Sequence, residues 1–169
     1  MKPFPVLKTN RLLLREMEDY DVERYARLLS DKDSYLYVLD GSPISSEEVS
    51  IRIYRIRDRS RTGVHYHWSI EVSDSSSFVG FIALHDAKSE KPVLSYAVLP
   101  NWRRRGIASE AICAVMNFAK KDLGAVAVLA GTHRGNSASM GLLSSLNFKE
   151  VGLVRTPWGE RIEFLSSAT

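Results

Sequence analysis

The sequence predicts an α+β fold, a three-layer α/β/α sandwich around a mixed, mostly antiparallel sheet. Three observations carry this reading: alternating apolar runs joined by short turns from His65 onward, apolar positions at helical spacing on either side of them, and a strand–helix–strand passage near residues 93 to 130 that makes part of the sheet parallel.

From Val6 to Arg15 the alternation puts Leu12 and Leu14 on one face, which predicts a strand. Asp19 or Asp21 caps a helix in which Val22, Tyr25, Leu28 and Leu29 follow helical spacing. Ser45 and Glu48, three residues apart, form a capping box; the helix they open carries Val49, Ile53 and Ile56 on one side and arginines on the other. HYHWSIEV and FVGFIALH, separated by SDSSS, predict a hairpin, and VLSYAVLP at 93 to 100 predicts a further strand stopped by Pro100. Ile107, Ala111, Val115 and Phe118 mark the next helix, with Lys120 and Lys121 in its last turn and Gly124 as its stop. AVAVLA at 125 to 130 is short and wholly apolar, as a buried parallel strand is. Asn136 caps a helix running through Leu146, and the stretches 148 to 154 and 161 to 165 close as a hairpin around Pro157 and Gly159. No repeat or linker interrupts the chain, so residues 1–169 are expected to form a single domain.

At 169 residues, 44% apolar and 25% charged, the composition excludes disordered and collagen-like classes. A chain of this size buries roughly 70% of its unfolded surface and needs no disulfide or structural metal. The lone Cys113 suits a reducing compartment and is expected to be an inert thiol buried in its apolar helix; a cytoplasmic location follows. No paired Cys/His spacing suggests a metal, the apolar runs fall far short of the ~20 residues of a membrane span, and MKPFPVLKTN lacks a signal-peptide core. The net charge of +3 is mild, but the arginines cluster. Arg52, Arg55, Arg57, Arg59 and Arg61 form one group and Arg103, Arg104 and Arg105 another; either suits an anionic partner, and the first equally suits a solvated helix face.

The chemically informative segment is LPNWRRRGIASEA, where a strand ends at a proline and a glycine-containing turn opens a helix. The first N–H groups of a helix lack intrahelical partners and sit at the positive end of its dipole, so such a turn is an anion site. Gly106 permits close backbone approach, Ala108 is small, and Arg103 to Arg105 add charge beside it. A basic surface turn before an ordinary helix would read the same way. Neither GxxxxGK nor GxGxxG is present, which removes the P-loop and dinucleotide fingerprints.

RRRGIA matches the RxxGxA form of the Q/RxxGxG/A motif of the GNAT N-acetyltransferase superfamily. Nearly the whole chain resembles the RimJ/RimL-like branch, which includes acetyltransferases of ribosomal-protein N-termini: LKTNRLLLREMEDYD, FVGFIALHD, LSYAVLPNWRRRGIASEA and GNSASMGLLSSLNFKEVG fall in the branch's order and spacing. The resemblance implies the acyl-CoA N-acyltransferase fold and acetyl-CoA as acetyl donor to a primary amine by direct attack. Carried over by position, the backbone of Arg103, Arg104, Arg105, Gly106, Ile107, Ala108 and Ser109 would surround the pyrophosphate. Val98 and Leu99 would pair through their main chain with the pantetheine arm, in a gap between this strand and AVAVLA, where free main-chain groups could also stabilise an oxyanion. Asn136 and Ser139 match the branch's NxxS pattern near the cofactor's sulfur; Asn136 also reads as an ordinary N-cap, and Ser139 as an ordinary helix-face hydroxyl.

Leu143 falls where many of these enzymes carry an acid tyrosine, leaving Ser139 as the substitute proton donor, with a bound water as the alternative. Tyr96 would shape the acetyl and amine pocket, and Tyr37, in the segment from Ser34 to Gly41, the acceptor site. Glu71, His67 and His133 are candidates for the base, none of them clear, and that lack leans toward an N-terminal α-amine, whose pKa of about 8 requires little help. Asn147 stands where the family usually has glycine and tolerates a left-handed backbone. A small-molecule amine acceptor and a catalytically silent acetyl-CoA sensor remain alternatives, a nucleic-acid partner has no recognised motif behind it, and edge strands near the C-terminus leave room for a homodimer.

Overall fold

A computed structural model describes residues 3–34, 45–157 and 159–167. Its eight strands form one sheet: β1 (Leu7–Lys8), β2 (Leu12–Glu16), β3 (Tyr66–Val72), β4 (Ser77–His85), β5 (Val93–Val98), β6 (Ala127–His133), β7 (Lys149–Thr156) and β8 (Gly159–Ser167). The spatial order is β1-β2-β3-β4-β5-β6-β8-β7, antiparallel except between β5 and β6. The helices are α1 (Val22–Ser30), α2 (Ser46–Arg61), α3 (Ile107–Lys121) and α4 (Ser137–Ser145).

Alternation along the strands splits the core in two. Leu12, Leu14, Trp68, Ile70, Ile82, Leu84 and Leu94 face α3, meeting Ile107, Ala111, Ile112, Val115 and Phe118, with Leu143 of α4 in the same cluster. Met17, Phe78, Phe81 and Ala83 face the opposite way, against Tyr25, Leu28 and Leu29 of α1 and Val49 and Ile53 of α2. The result is the α+β sandwich expected from the sequence, with both helix layers in place. The Ser45–Glu48 box forms as expected, the Glu48 amide donating to Ser45 Oγ at 3.2 Å and the Ser45 amide to Glu48 Oε2 at 2.6 Å.

Two expectations need correction. The first strand is broken: Thr9 to Arg11 turn between β1 and β2, which pair as a hairpin with Leu7 opposite Leu14. Glu110, in the first turn of α3, holds this turn in place, accepting from Thr9 Oγ1 at 2.5 Å, the Arg11 amide at 3.0 Å and Arg11 Nε at 2.7 Å. Cys113 is exposed rather than buried, because the buried stripe of α3 runs through Ala111, Ile112, Val115 and Phe118, and position 113 falls on the helix's outer face. At the far edge of the sheet β7 leaves Val151, Leu153 and Val154 exposed. Among the described residues no helix is long and apolar enough to cross a membrane.

The feature that builds the site is an opening in the sheet. β5 pairs with β4 along its whole length, from Val93–His85 to Val98–Gly80, yet it pairs with β6 only at Val93–Leu129 and Leu94–Ala130. Past Leu94 the two parallel strands separate, while β6 stays paired with β8 from Ala127 to His133. Gly80 permits the close β4–β5 approach beside this opening, since a Cβ there would lie 2.2 Å from the carbonyl oxygen of Ala97.

Candidate active site

A cavity of about 1480 Å³ runs through the opening and reaches both faces of the sheet. On one side its wall includes Tyr96, Val98, Ile107, Ser139 and Leu143; on the other it includes His67, Phe81, His85, Ser95 and one side of α2. Sites for a single small ligand usually occupy roughly 300–1,000 Å³, so this cavity has room for two reactants meeting from opposite faces.

The anion end is made by the turn into α3. Pro100 starts a single 3-10 turn, with the Trp102 amide donating to Leu99 O at 2.9 Å and the Arg103 amide to Pro100 O at 3.2 Å. The chain then turns through Arg104 at φ 60° and Gly106 at φ 76°, both left-handed. Gly106 is the N-cap, with no side chain to satisfy the first turn, and the first intrahelical bond runs from the Glu110 amide to Gly106 O. The amides of Ile107, Ala108 and Ser109 are therefore unclaimed by the helix, and these residues line the cavity. Oriented donors with no built-in cap, at the positive end of a 15-residue helix, are the fit a pyrophosphate requires.

The arginine triplet does not act as a unit. Arg103 turns away from the anion end: its guanidinium pairs with Asp31, lies 2.9 Å from Asp33 Oδ2, and donates from Nε to Val98 O at 3.0 Å. Against the cost of its burial, Arg103 and the Ser34 amide hold the Asp31 carboxyl below its ordinary pKa. The Arg105 guanidinium lies over the Trp102 ring, 5.0 Å from its centroid, and Arg105 is not on the cavity wall. Of the three, only Arg104 brings an exposed guanidinium to the cavity with no ion-pair partner among the described residues. The expectation that all three charges flank the anion is corrected accordingly.

Leu99 also leaves the set of cofactor-facing residues. Its amide donates to Val79 O at 2.8 Å and its carbonyl accepts from the Trp102 amide, so neither group is open to the gap. Main-chain direction alternates along a strand, and with Leu99 bonded toward β4, the groups of Val98 and Tyr96 point into the opening. Val98 O already accepts from Arg103 Nε, which fixes the strand end.

On the cavity wall Tyr96 Oη lies 2.8 Å from Ser139 Oγ, joining β5 to α4. Burial pushes the Tyr96 phenol up from its ordinary pKa, more than the Ser139 hydrogen bond brings it down. Asn136 caps α4, its Oδ1 accepting from the Ser139 amide at 3.1 Å, and so holds Ser139 at the start of the helix. Of the residues singled out in the sequence, Val98, Tyr96, Asn136, Ser139 and the turn from Arg103 to Ser109 gather at this one cavity, apart from Arg105; Tyr37 lies outside the described residues.

The candidate bases separate. Glu71 is bound in an ion-pair group with Arg15 and Arg24, and His133 lies against Gly159 on the strand beyond the opening. His67 is on the cavity wall, stacked on Phe81 at 4.6 Å, with Nε2 buried and unpartnered. No pattern along the chain singles out His85, whose Nε2 lies 2.8 Å from Ser95 Oγ on the same wall. Burial, then the charges of His85 and Arg52, hold the His67 imidazole well below its ordinary pKa, and burial, then neighbouring His65, lowers that of His85. Both imidazoles are neutral at pH 7. The signal that would have found His85 is its register: it ends β4 on the face that His67 and Ser95 share through Ala83.

Comparison with known proteins gives one consistent answer. A family model described as an acetyltransferase (GNAT) domain matches residues 11–149. A Bacillus subtilis (strain 168) protein, the uncharacterized N-acetyltransferase YoaA, is 30% identical over 156 residues, covering 90% of this chain and 87% of that protein. Among solved structures, a GNAT-family acetyltransferase from Bacillus anthracis superposes with a TM-score of 0.85 at 19% identity, covering 97% of this chain and 99% of the other. Mycobacterium smegmatis RimJ in complex with CoA-disulfide superposes with a TM-score of 0.77 at 17% identity, covering 97% and 86%.

Proposed function

This chain belongs to the GNAT acetyltransferase family and is an acetyl-CoA-dependent N-acetyltransferase; from that premise we propose that the opening between β5 and β6 is its transfer site and that the acceptor is an α-amine. Acetyl-CoA supplies an activated acetyl group, which passes to the amine as CoA leaves as the thiol. The amides of Ile107, Ala108 and Ser109 and the Arg104 side chain hold the pyrophosphate, and the main chain of Val98 and Tyr96 aligns the pantetheine arm where β6 has moved away. The observation that carries the reading is the Tyr96–Ser139 hydrogen bond, which sets two hydroxyls on the cavity wall beside the opening between β5 and β6. Ser139 donates a proton to the departing sulfur and is resupplied by Tyr96, whose raised pKa keeps it protonated at neutral pH.

The acceptor reading rests on the bases present. The carboxylates on the cavity wall, Asp33 and Glu48, are committed to Arg103 and to the Ser45 amide. What remains are the neutral imidazoles of His67 and His85, whose lowered pKa values match an α-amine near 8 far better than a lysine near 10.4. The test is a mass-spectrometric comparison of two peptides, one with a free N-terminus and no lysine, the other blocked at its N-terminus and carrying one lysine. Acetylation of the first in preference to the second is expected, and the reverse preference would defeat the reading.

A further inference from the structure

Arg52, Arg55 and Arg59 stand at i, i+3 and i+7 along α2, on the side of the helix that lines the cavity. Among the described residues they carry no ion pair, whereas Arg57, on another side of the same helix, is paired with Glu18 and Asp19. Among the described residues, Nε of Arg52 and the nearby Nε2 of His67 are buried without a hydrogen-bond partner, while the Arg52 guanidinium also acts on the Tyr25 hydroxyl. Glu48, the carboxylate of α2 that reaches this wall, is held by the Ser45 amide at 2.6 Å. Three guanidiniums above two neutral imidazoles, against the single negative charge of Glu48, leave this half of the cavity with a net positive field from the described residues.

We infer that the acceptor is a primary amine bearing a carboxylate or phosphate group, bound by Arg52, Arg55 and Arg59 so that its amine points through the opening toward Tyr96. The inference deepens the transfer-site reading and rests on it. Guanidiniums suit this task because their planar donors pair two at a time with carboxylate or phosphate oxygens. Positive charge beside the amine also favours its neutral form, which is the nucleophile. A solvated helix face would instead show these arginines paired along α2 or directed away from the cavity.

The experiment uses the intact chain with acetyl-CoA and two matched sets of acceptors: the C-terminally amidated tripeptides Ala-Glu-Glu and Ala-Gln-Gln, and phosphoethanolamine with ethanolamine. Free CoA is measured for each, and binding of each is titrated separately to protein saturated with CoA. In either set the anionic member is expected to exceed its neutral counterpart in kcat/KM by about tenfold or more, through KM, with the advantage falling as salt is raised. Which set shows the larger ratio separates a peptide from a small phosphorylated acceptor. The Arg55→Glu/Arg59→Glu variant should close the gap, while Arg61→Glu, an equal change of charge per residue at an exposed position off the cavity wall, should leave it. Equal activity on the neutral members, or a gap that survives the double reversal, overturns the inference. If none of the amines is acetylated the transfer-site reading fails, and the titrations alone then decide the arginines: weaker anion binding in the double variant supports their role, and unchanged binding rejects it.

Discussion

Tyr96 Oη and Ser139 Oγ sit 2.8 Å apart, one on the strand that loses its neighbour and the other two residues into the following wall's helix. This contact ties the splayed strand to α4 and places two hydroxyls where no charged acid is available. Ser139→Ala and Tyr96→Phe are each expected to lower kcat roughly 100-fold. The double variant should be little worse than either single one, because the two hydroxyls act as one donor. Steady-state kinetics with acetyl-CoA affinity measured in parallel checks this, and additive losses would separate the two residues.

The pH profile follows from the same pair. The acid must be protonated, and burial raises the Tyr96 pKa, so the loss expected on deprotonation moves above the ordinary tyrosine range. Activity on an α-amine peptide should rise through about pH 8, level off near pH 9 and show no alkaline fall below about pH 10. A descending limb between pH 8 and 9.5 would point to a different donor.

Arg103 and Arg104 are neighbours with separate tasks. Arg104→Ala should weaken acetyl-CoA binding about fivefold at low salt and less at high salt. Arg103→Ala should change that affinity by less than about threefold but lower stability by about 1–2 kcal/mol, since it unties the end of α1 from the strand. Calorimetry and thermal melts of the two variants distinguish the roles.

Far from the cavity, Asp21 is fully buried and accepts from both Arg15 nitrogens, at 2.7 and 2.9 Å, from Ser69 Oγ and from the Glu18 amide. Although burial disfavours its charge, these donors outweigh it and depress the carboxyl pKa. Its stabilisation is therefore complete above the unfolded value near 4 and lost as pH falls toward the folded one. Asp21→Asn, which leaves Arg15 without its main counter-charge, should cost about 3–5 kcal/mol at pH 7. Denaturant melts across pH should also show the variant losing less stability on acidification than the parent.

Local signals were enough for the elements that depend on them. The α3 stripe, the Ser45 capping box and the Asn136 cap all appear where their spacing puts them, and Asn147 adopts the left-handed φ of 63° expected of it. The turn at Gly106 was legible because a helix N-terminus with no capping side chain is a local fact. Long-range pairing was not. That Arg103 would meet Asp31, 72 residues away, rather than a phosphate depends on where α1 ends against the strand. The Tyr96–Ser139 contact spans 43 residues and requires the β5–β6 separation, which no periodicity encodes. His85 has no local signal because its place on the wall comes from cross-strand register, and Cys113 is exposed because an apolar helix still has an outer face.

Whether the start of α3 holds acetyl-CoA is decided by titration calorimetry of the parent protein and Gly106→Val. A side chain at φ 76° costs about 1–2 kcal/mol of local strain, which a domain of ordinary stability survives, but it distorts the turn that aims the free amides. This placement of the cofactor requires stoichiometric binding by the parent and at least about tenfold weaker binding by the variant, with its melting transition still cooperative. Equal affinity in the two folded proteins, or no binding by the parent, would contradict it.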